Sequence, residues 1–202
     1  VEIAIISLGG IVVSRSLSVA GDEMDAAIAH YIRLRHGLLL GEKTVEELKI
    51  KLGSAYERKS KVKMQKSKDE MEDEGSRAEE AEADQVAIVR GRDIETGLPK
   101  SLRVTEVEVR EALAPVIAKI VEAIVEVLEE APPELTSDIL ENGILLTGGG
   151  SLLYGLDKLI VERTHIPVIR SEDPLTTVVR GTGKVLEDDE LLDRVKVIGG
   201  LK

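Results

Sequence analysis

The stretch from Asn142 to Leu156, Asn-Gly-Ile-Leu-Leu-Thr-Gly-Gly-Gly-Ser-Leu-Leu-Tyr-Gly-Leu, restricts the folds open to this chain more than any other. Gly143 to Thr147 is a short apolar run of the kind a buried strand uses, and from Ser151 a polar start followed by apolar spacing predicts a helix. Three glycines join the two. A turn without Cβ atoms, between a strand and a helix N-terminus, lets backbone N–H groups approach a ligand closely, and the helix end favours negative charge. The stretch therefore reads as a nucleotide-contacting loop, the plain alternative being a tight connection that touches nothing. Gly148, Gly149 and Gly150 do not complete a dinucleotide fingerprint, because no glycine follows at the required spacing, and no lysine follows to make a phosphate loop of the P-loop type.

Composition narrows what such a loop could serve. The chain has no Phe or Trp, and Tyr only at Tyr31, Tyr56 and Tyr154, so Val, Ile, Leu and Ala must fill the interior. The same lack argues against aromatic base-stacking platforms. A formal net charge of −11 repels polyanions, so no nucleic-acid partner is expected. The absence of Cys excludes disulfides, thiolate metal sites and cysteine nucleophiles, and fits a reducing compartment. No apolar run approaches the roughly twenty residues of a membrane span, and a cytoplasmic protein is expected. His30, His36 and His165 are scattered, with no carboxylate or second His at ligand spacing, so neither a metal site nor a catalytic residue is assigned. The chain opens at Val1 already within a strand-like pattern, and is expected to be a piece of something longer.

Along the chain, Val1 to Val19 predicts a β-hairpin turning at Gly9-Gly10, and Gly21 to Gly37 a helix with Asp22 as its N-cap. A second helix is expected from Thr44, with Thr44 and Glu47 as a capping box, Val45, Leu48 and Leu52 as its buried stripe and Gly53 at its end. Glu46 and Lys49 share one face of that helix, and taken alone they read as a surface ion pair of little weight. Val86 to Arg92 and Lys100 to Val104 predict paired strands. Thr105 and Glu108 make another capping box for a long helix ending at Ala131, which Pro115 should kink or divide. Beyond Pro132-Pro133 come a helical turn near Ser137, the glycine-rich stretch, a helix over Leu152 to Arg163, a strand at Pro167 to Ile169, a helix from Leu175 and a charged, frayed end.

Tyr56 to Gln85 differs from all of this. Lys and Arg dominate its first part and Asp and Glu its second, so it cannot bury enough apolar surface to offset its ordering entropy. It is expected to be a solvated insertion, with a docking arm for an acidic partner or anionic lipid as the functional alternative.

The blocks Gly21-Asp22-Glu23-Met24-Asp25, Gly41-Glu42-x-Thr44-x-Glu46-x-x-Lys49 and Gly53-Ser54-Ala55-Tyr56 resemble the second lobe of the MreB family of bacterial actin homologues. The likeness continues through Val89-Arg90-Gly91-Arg92-Asp93, Thr96-Gly97-Leu98-Pro99, Pro132-Pro133-Glu134-Leu135, Leu146 to Gly150 and Glu172 to Thr176. It implies an α/β fold, the second lobe of an actin-like ATPase with a ribonuclease-H-like mixed sheet, plus a smaller α+β subdomain. The implied division is 1–40 with 132–188 as the nucleotide-binding subdomain and 41–131 as the outer one, interrupted by the charged insertion at 57–85, with 189–202 as a tail.

The resemblance further implies ATP as ligand. Glu46 would accept from the ribose hydroxyls, Lys49 would lie along the adenosine, and Gly148, Gly149, Gly150 and Ser151 would line the adenine and inner phosphate. Mg2+ would be held mainly by a first lobe absent from these residues, along with the outer phosphate loops and the catalytic acid. One strand of the second lobe's own sheet would also precede Val1, leaving a gap that a longer polypeptide or a partner fills. The implied function is a filament of like subunits, controlling cell shape with the cell-wall elongation machinery at the membrane. A sugar or small-molecule kinase of the same scaffold, or a non-catalytic ATP-binding regulator, are the alternatives.

Overall fold

The computed structural model describes residues 1–58 and 85–198. Strands β1 (Glu2–Ser7) and β2 (Gly10–Ser16) pair antiparallel, with a register shift between Ile5 and Ile6. Leu8 and Gly9, both at positive φ, close the two-residue turn whose twist suits a hairpin.

Helix α1 (Gly21–His36) follows, burying Met24, Ile28 and Ile32 at helical spacing. Asp22 does not cap it: the N-cap is Ala20, and no side chain accepts from the first turn. At the other end Gly37 adopts the left-handed conformation that lets its N–H reach Arg33 O. Helix α2 (Glu42–Leu52) buries Val45, Leu48 and Leu52, as its periodicity predicts. It starts two residues earlier than expected. Extended Gly41 is its N-cap, and the Gly41 carbonyl already accepts from Thr44 N and Val45 N, which draws Thr44 inside the first turn and removes the expected Thr44–Glu47 box.

Between these helices a two-residue strand β3 (Leu38–Leu39) pairs with β4 (Val86–Asp93), which pairs with β5 (Pro99–Thr105), all antiparallel. The turn from β4 to β5 is organised by Asp93, whose carboxylate accepts from Lys100 Nζ at 2.8 Å and from the Thr96 and Glu95 N–H groups. The Lys100 hydrogen bond first, then that from the Thr96 amide, hold the carboxyl well below the usual range.

Helix α3 (Glu106–Glu129) starts with the predicted Thr105–Glu108 capping box. Its apolar face, Val109, Leu113, Ile117, Ile120, Ile124 and Val127 among others, is buried along the whole length. Pro115 does not divide it. The proline lies on the exposed side, where solvent can take up the carbonyl that loses its backbone donor. Pro132-Pro133 ends the helical run, as expected, and a single 3-10 turn (Pro133–Leu135) leads into α4 (Thr136–Asn142).

Strand β6 (Ile144–Leu146) pairs in parallel with β7 (Val168–Arg170), and α5 (Leu156–Thr164) crosses between them. Helices α6 (Thr177–Glu187) and α7 (Asp189–Ile198) complete the described chain, so the charged end expected to fray is helical over 189–198. Among the described residues the architecture is mixed α/β with three separate sheets, β1-β2, β3-β4-β5 and β6-β7. The hairpin and the parallel pair do not hydrogen-bond to one another.

One continuous aliphatic core joins α1, α2, α3 and α5 with the inner side of the three-stranded sheet. Ile28, Leu38, Leu52, Val104, Leu113 and Ile160 are fully buried in it. Burial of a side chain of this size contributes about 1.5–3 kcal/mol. Residues 59–84, and with them the docking-arm reading, lie outside the described residues. The residues on either side of this stretch meet: the Arg58 guanidinium donates to Gln85 Oε1, and Glu106 N donates to Gln85 O at 2.9 Å.

Candidate functional site

Because α2 turns Val45, Leu48 and Leu52 inwards, Glu46 is left on the exposed side and Lys49 at the boundary. The expected ion pair between them does not form. Glu46 has no hydrogen-bond or ionic partner among the described residues, whereas Lys49 reaches back to α1, donating to Asp25 Oδ2 at 2.7 Å and Gly21 O at 3.3 Å. The helix thus presents a free carboxylate at Glu46 and, a turn later, a fixed ammonium at Lys49.

The C-terminal end of α2 runs into the glycine-rich segment. A Cβ on Gly53 would stand 3.0 Å from Leu153 Cδ1, Ser54 bridges to Tyr154, and Ala55 N donates to Tyr154 O at 2.7 Å. The Arg58 guanidinium then covers the Tyr154 ring at 4.6 Å from its centroid. Glu46 and Lys49 on one side and Gly148 to Ser151 on the other therefore belong to two segments that meet at Gly53 and Leu153.

The glycine segment differs from the expected strand–turn–helix. Gly148 has φ +81°, which needs glycine, and a 3-10 turn (Gly149–Leu152) follows in place of an α-helix. The helix expected from Leu152 starts at Leu156, because Gly155 takes the left-handed conformation against Tyr56, where any Cβ would come within 2.4 Å of the tyrosine Cβ. No α-helix N-terminus therefore stands directly behind the three glycines. The Ser151 N–H is already used, donating to Gly148 O at 3.1 Å, and buried Ser151 also donates its hydroxyl to Gly148 O at 2.7 Å. Gly149 and Gly150 remain exposed, and a Cβ on Gly150 would meet nothing within 4 Å. The segment offers an open stretch of backbone at Gly149 and Gly150.

Behind it stands a brace that the sequence reading did not assign. Gly148 N donates to Pro174 O at 2.9 Å, Ser171 Oγ to Thr147 Oγ1 at 3.1 Å, and Thr177 Oγ1 to Asp173 O at 2.7 Å. Glu172 to Thr176 stands among the blocks of the family likeness, but nothing in it told that the Pro174 carbonyl would hold the glycine loop. Asp25 was missed likewise. Its place on the first turns of α1 reads as ordinary acidic enrichment at a helix start.

Chemically, a free carboxylate suits paired hydroxyl donors, a fixed ammonium suits an electron-rich ring or an anion, and open glycine backbone suits a planar group. Among the described residues no group of three or more His, Asp or Glu could hold a metal ion. A hollow of about 460 Å3 lies elsewhere, between α1 and α3, lined by Ala27, Tyr31, Leu34 and Pro115, and none of the predicted site residues lines it.

The family model described as MreB/Mbl protein matches residues 1–73 and 65–194. The cell shape-determining protein Mbl of Bacillus cereus is 41% identical over 193 residues, covering 96% of this chain and 51% of that protein. The cell shape-determining protein MreB of Escherichia coli is 44% identical over 186 residues, covering 92% of this chain and 47% of that protein. Among solved structures, MreB5 of Spiroplasma citri bound to AMPPNP superposes with a TM-score of 0.78 at 32% identity, over 99% of this chain and 52% of that one. The same protein has also been solved bound to ADP. The MamK double helical filament, at 22% identity and a TM-score of 0.65, shares the fold. The chain spans about half the length of the relatives it matches.

Proposed function

The chain belongs to the MreB/Mbl family and has part of an actin-like fold, and from that premise we propose that it is the nucleotide-binding part of an ATP-dependent cytoskeletal protein that polymerises and determines cell shape. The observation that carries the nucleotide reading is the unpartnered Glu46 carboxylate, one turn from a fixed Lys49, on a helix whose end meets Leu153 and Tyr154, just past the open glycines. In this reading Glu46 accepts from the ribose hydroxyls, the Lys49 stem and ammonium lie along the adenosine, and Gly149 and Gly150 face the base. Ser151, whose hydroxyl is used within the loop, holds Gly148 in shape.

The residues fit an adenosine better than they fit the whole of ATP. No side chain among them is placed to clamp outer phosphates, so Mg2+ and those phosphates belong to the remainder of a full-length relative. Bound ATP supplies the phosphoanhydride whose state would govern filament growth. The two AMPPNP- and ADP-bound structures of a relative at 32% identity support nucleotide as the ligand class. The subdomain division at 41 and 131, self-association, contact with the cell-wall machinery and a cytoplasmic, membrane-associated location are parts of the same proposal. No described helix is long and apolar enough to cross a membrane.

Calorimetric titration with ADP and AMPPNP tests the pocket. Glu46→Ala and Gly149→Val are each expected to weaken binding at least tenfold, about 1.4 kcal/mol. Both should leave folding intact, since Glu46 has no partner to lose and a Cβ on Gly149 would meet only Leu175 at an ordinary 3.5 Å. Unchanged affinity in both variants would mean the pocket is elsewhere. Nucleotide-dependent sedimentation then separates a filament from a soluble kinase, which would transfer phosphate without pelleting.

A further inference from the structure

Lys49 and Asp25 are 24 positions apart, on different helices, and meet in the region where α2 crosses the start of α1. Both side chains are largely covered, with 18% and 25% of their surface exposed, unlike Glu46 on the same helix as Lys49. A lysine stem has four rotatable bonds and on an open surface its ammonium samples a wide volume. Here the ammonium is fixed by two acceptors from one neighbouring helix, Asp25 Oδ2 at 2.7 Å and Gly21 O at 3.3 Å. Asp25 supplies the only negative charge among them. Its second oxygen, Oδ1, is buried without any hydrogen-bond partner in the described structure. A buried carboxylate oxygen left without a donor is costly, and such groups are few in folded proteins.

We propose that Asp25 is a positioning residue of the nucleotide site: it fixes the Lys49 ammonium against the start of α1, and so sets the geometry in which Lys49 meets the adenosine. The inference rests on the nucleotide reading of Glu46, Lys49 and the glycine segment, and adds to it a residue from α1. Held this way, Lys49 is placed before the ligand arrives, and its ordering entropy is spent in folding and not in binding.

The test is a thermodynamic cycle on ADP affinity with Asp25→Asn, Lys49→Met and the double variant, with Glu46→Ala measured alongside. Asp25→Asn keeps the shape and removes the charge. It is expected to weaken ADP about tenfold, Lys49→Met at least as much, and the double variant no more than Lys49→Met alone. A purely structural aspartate would instead give effects that multiply, about a hundredfold in the double variant, and that result overturns the inference. If Glu46→Ala weakens binding and Asp25→Asn does not, the inference falls and the nucleotide reading stands. If neither does, the nucleotide reading falls and takes the inference with it.

A measurement on the unsubstituted chain guards against misfolding of the variants. Acylation of lysine amines, read by mass spectrometry, should modify Lys49 at least tenfold more slowly than Lys43 and Lys51, which are exposed on the same helix. Equal rates for the three would show that Asp25 does not hold Lys49, and would overturn the inference without any substitution.

Discussion

Leu48 and Leu52 tie α2 into the main core with almost no exposed surface, whereas the glycine segment facing its end keeps Gly149, Gly150 and Leu152 in solvent and leans on hydroxyl and carbonyl contacts. The first side of the junction is positioned by apolar burial, which is strong and non-directional. The second is positioned by hydrogen bonds, each worth little net but demanding in geometry. In the proposed nucleotide site, the first side would be rigid and fix where the ligand lies, and the second would adjust to fit against it. The contrast also says which substitutions should unfold the protein and which should only spoil the site.

The largest effect is expected where the α2 side is broken from within. Leu52 is completely buried, and Leu52→Ala should cost about 2–5 kcal/mol in urea unfolding. The matching change on the other side, Leu152→Ala, removes a side chain that is 49% exposed and should stay within about 0.5 kcal/mol. Similar losses in the two variants would mean that the glycine segment is as deeply anchored as α2.

A smaller effect, and one with a pH signature, belongs to the frame behind α2. Glu108 closes the capping box of α3 and meets His36 Nε2, at the last turn of α1, at 2.7 Å. Burial pushes this carboxyl up, but the hydrogen bonds from the Thr105 backbone N–H, the His36 ring and the Thr105 hydroxyl, with the charge of His36, outweigh it, and the net shift is downward. A carboxyl with a folded pKa below its unfolded one contributes stability that is complete above the ordinary carboxylate range. That contribution is lost as pH falls through the folded value. Glu108→Gln should therefore cost about 1 kcal/mol at neutral pH and flatten the acid side of the stability curve, as followed by thermal melting from pH 7 to pH 3. An unchanged slope would show that the α1–α3 contact does not depend on this charge. Thr147, Ser171 and Thr177, which brace the glycine side, carry no charge, and no corresponding acid-linked loss is expected from them.

How much of this could be read in the sequence follows the same division. The stripes Met24, Ile28, Ile32 and Val45, Leu48, Leu52 and the Thr105–Glu108 box are local patterns, each found where the residues predict it, and the predicted hairpin forms with its turn one residue earlier, at Leu8-Gly9. Helix starts were less legible. Asp22 and Thr44 have capping chemistry, yet Ala20 and Gly41 hold the cap positions, because an extended backbone placed by the preceding strand decides where the first turn closes. Of the two effects expected of Pro115, division of α3 does not occur, since the cost of the proline depends on which side of the helix it faces, and that is a tertiary fact. At the site, Glu46, Lys49 and the three glycines were singled out by motif, but the partner of Lys49 was not. Asp25 lies 24 positions away, and only the packing of α1 against α2 brings the two together.

The smallest expected effect tests the adjustable side directly. Thr177 Oγ1 donates to Asp173 O at 2.7 Å and lies 3.2 Å from Ser171 Oγ, which in turn donates to Thr147 Oγ1, the residue before Gly148. Valine keeps the shape of Thr177 and deletes the hydroxyl, and the Asp173 carbonyl left behind sits near solvent where water can replace the donor. Thr177→Val should therefore cost about 0.5–1.5 kcal/mol in stability. Its effect on ADP affinity should be about threefold, some 0.65 kcal/mol, because Gly148 keeps its own bond to Pro174 while the turn behind it loosens. Affinity unchanged at lowered stability would show that the hydroxyls hold the α6 start and leave the loop to the Pro174 carbonyl alone. A loss as large as that of Gly149→Val would show the opposite, that the glycine side is held as tightly as α2 and by this one chain of hydroxyls.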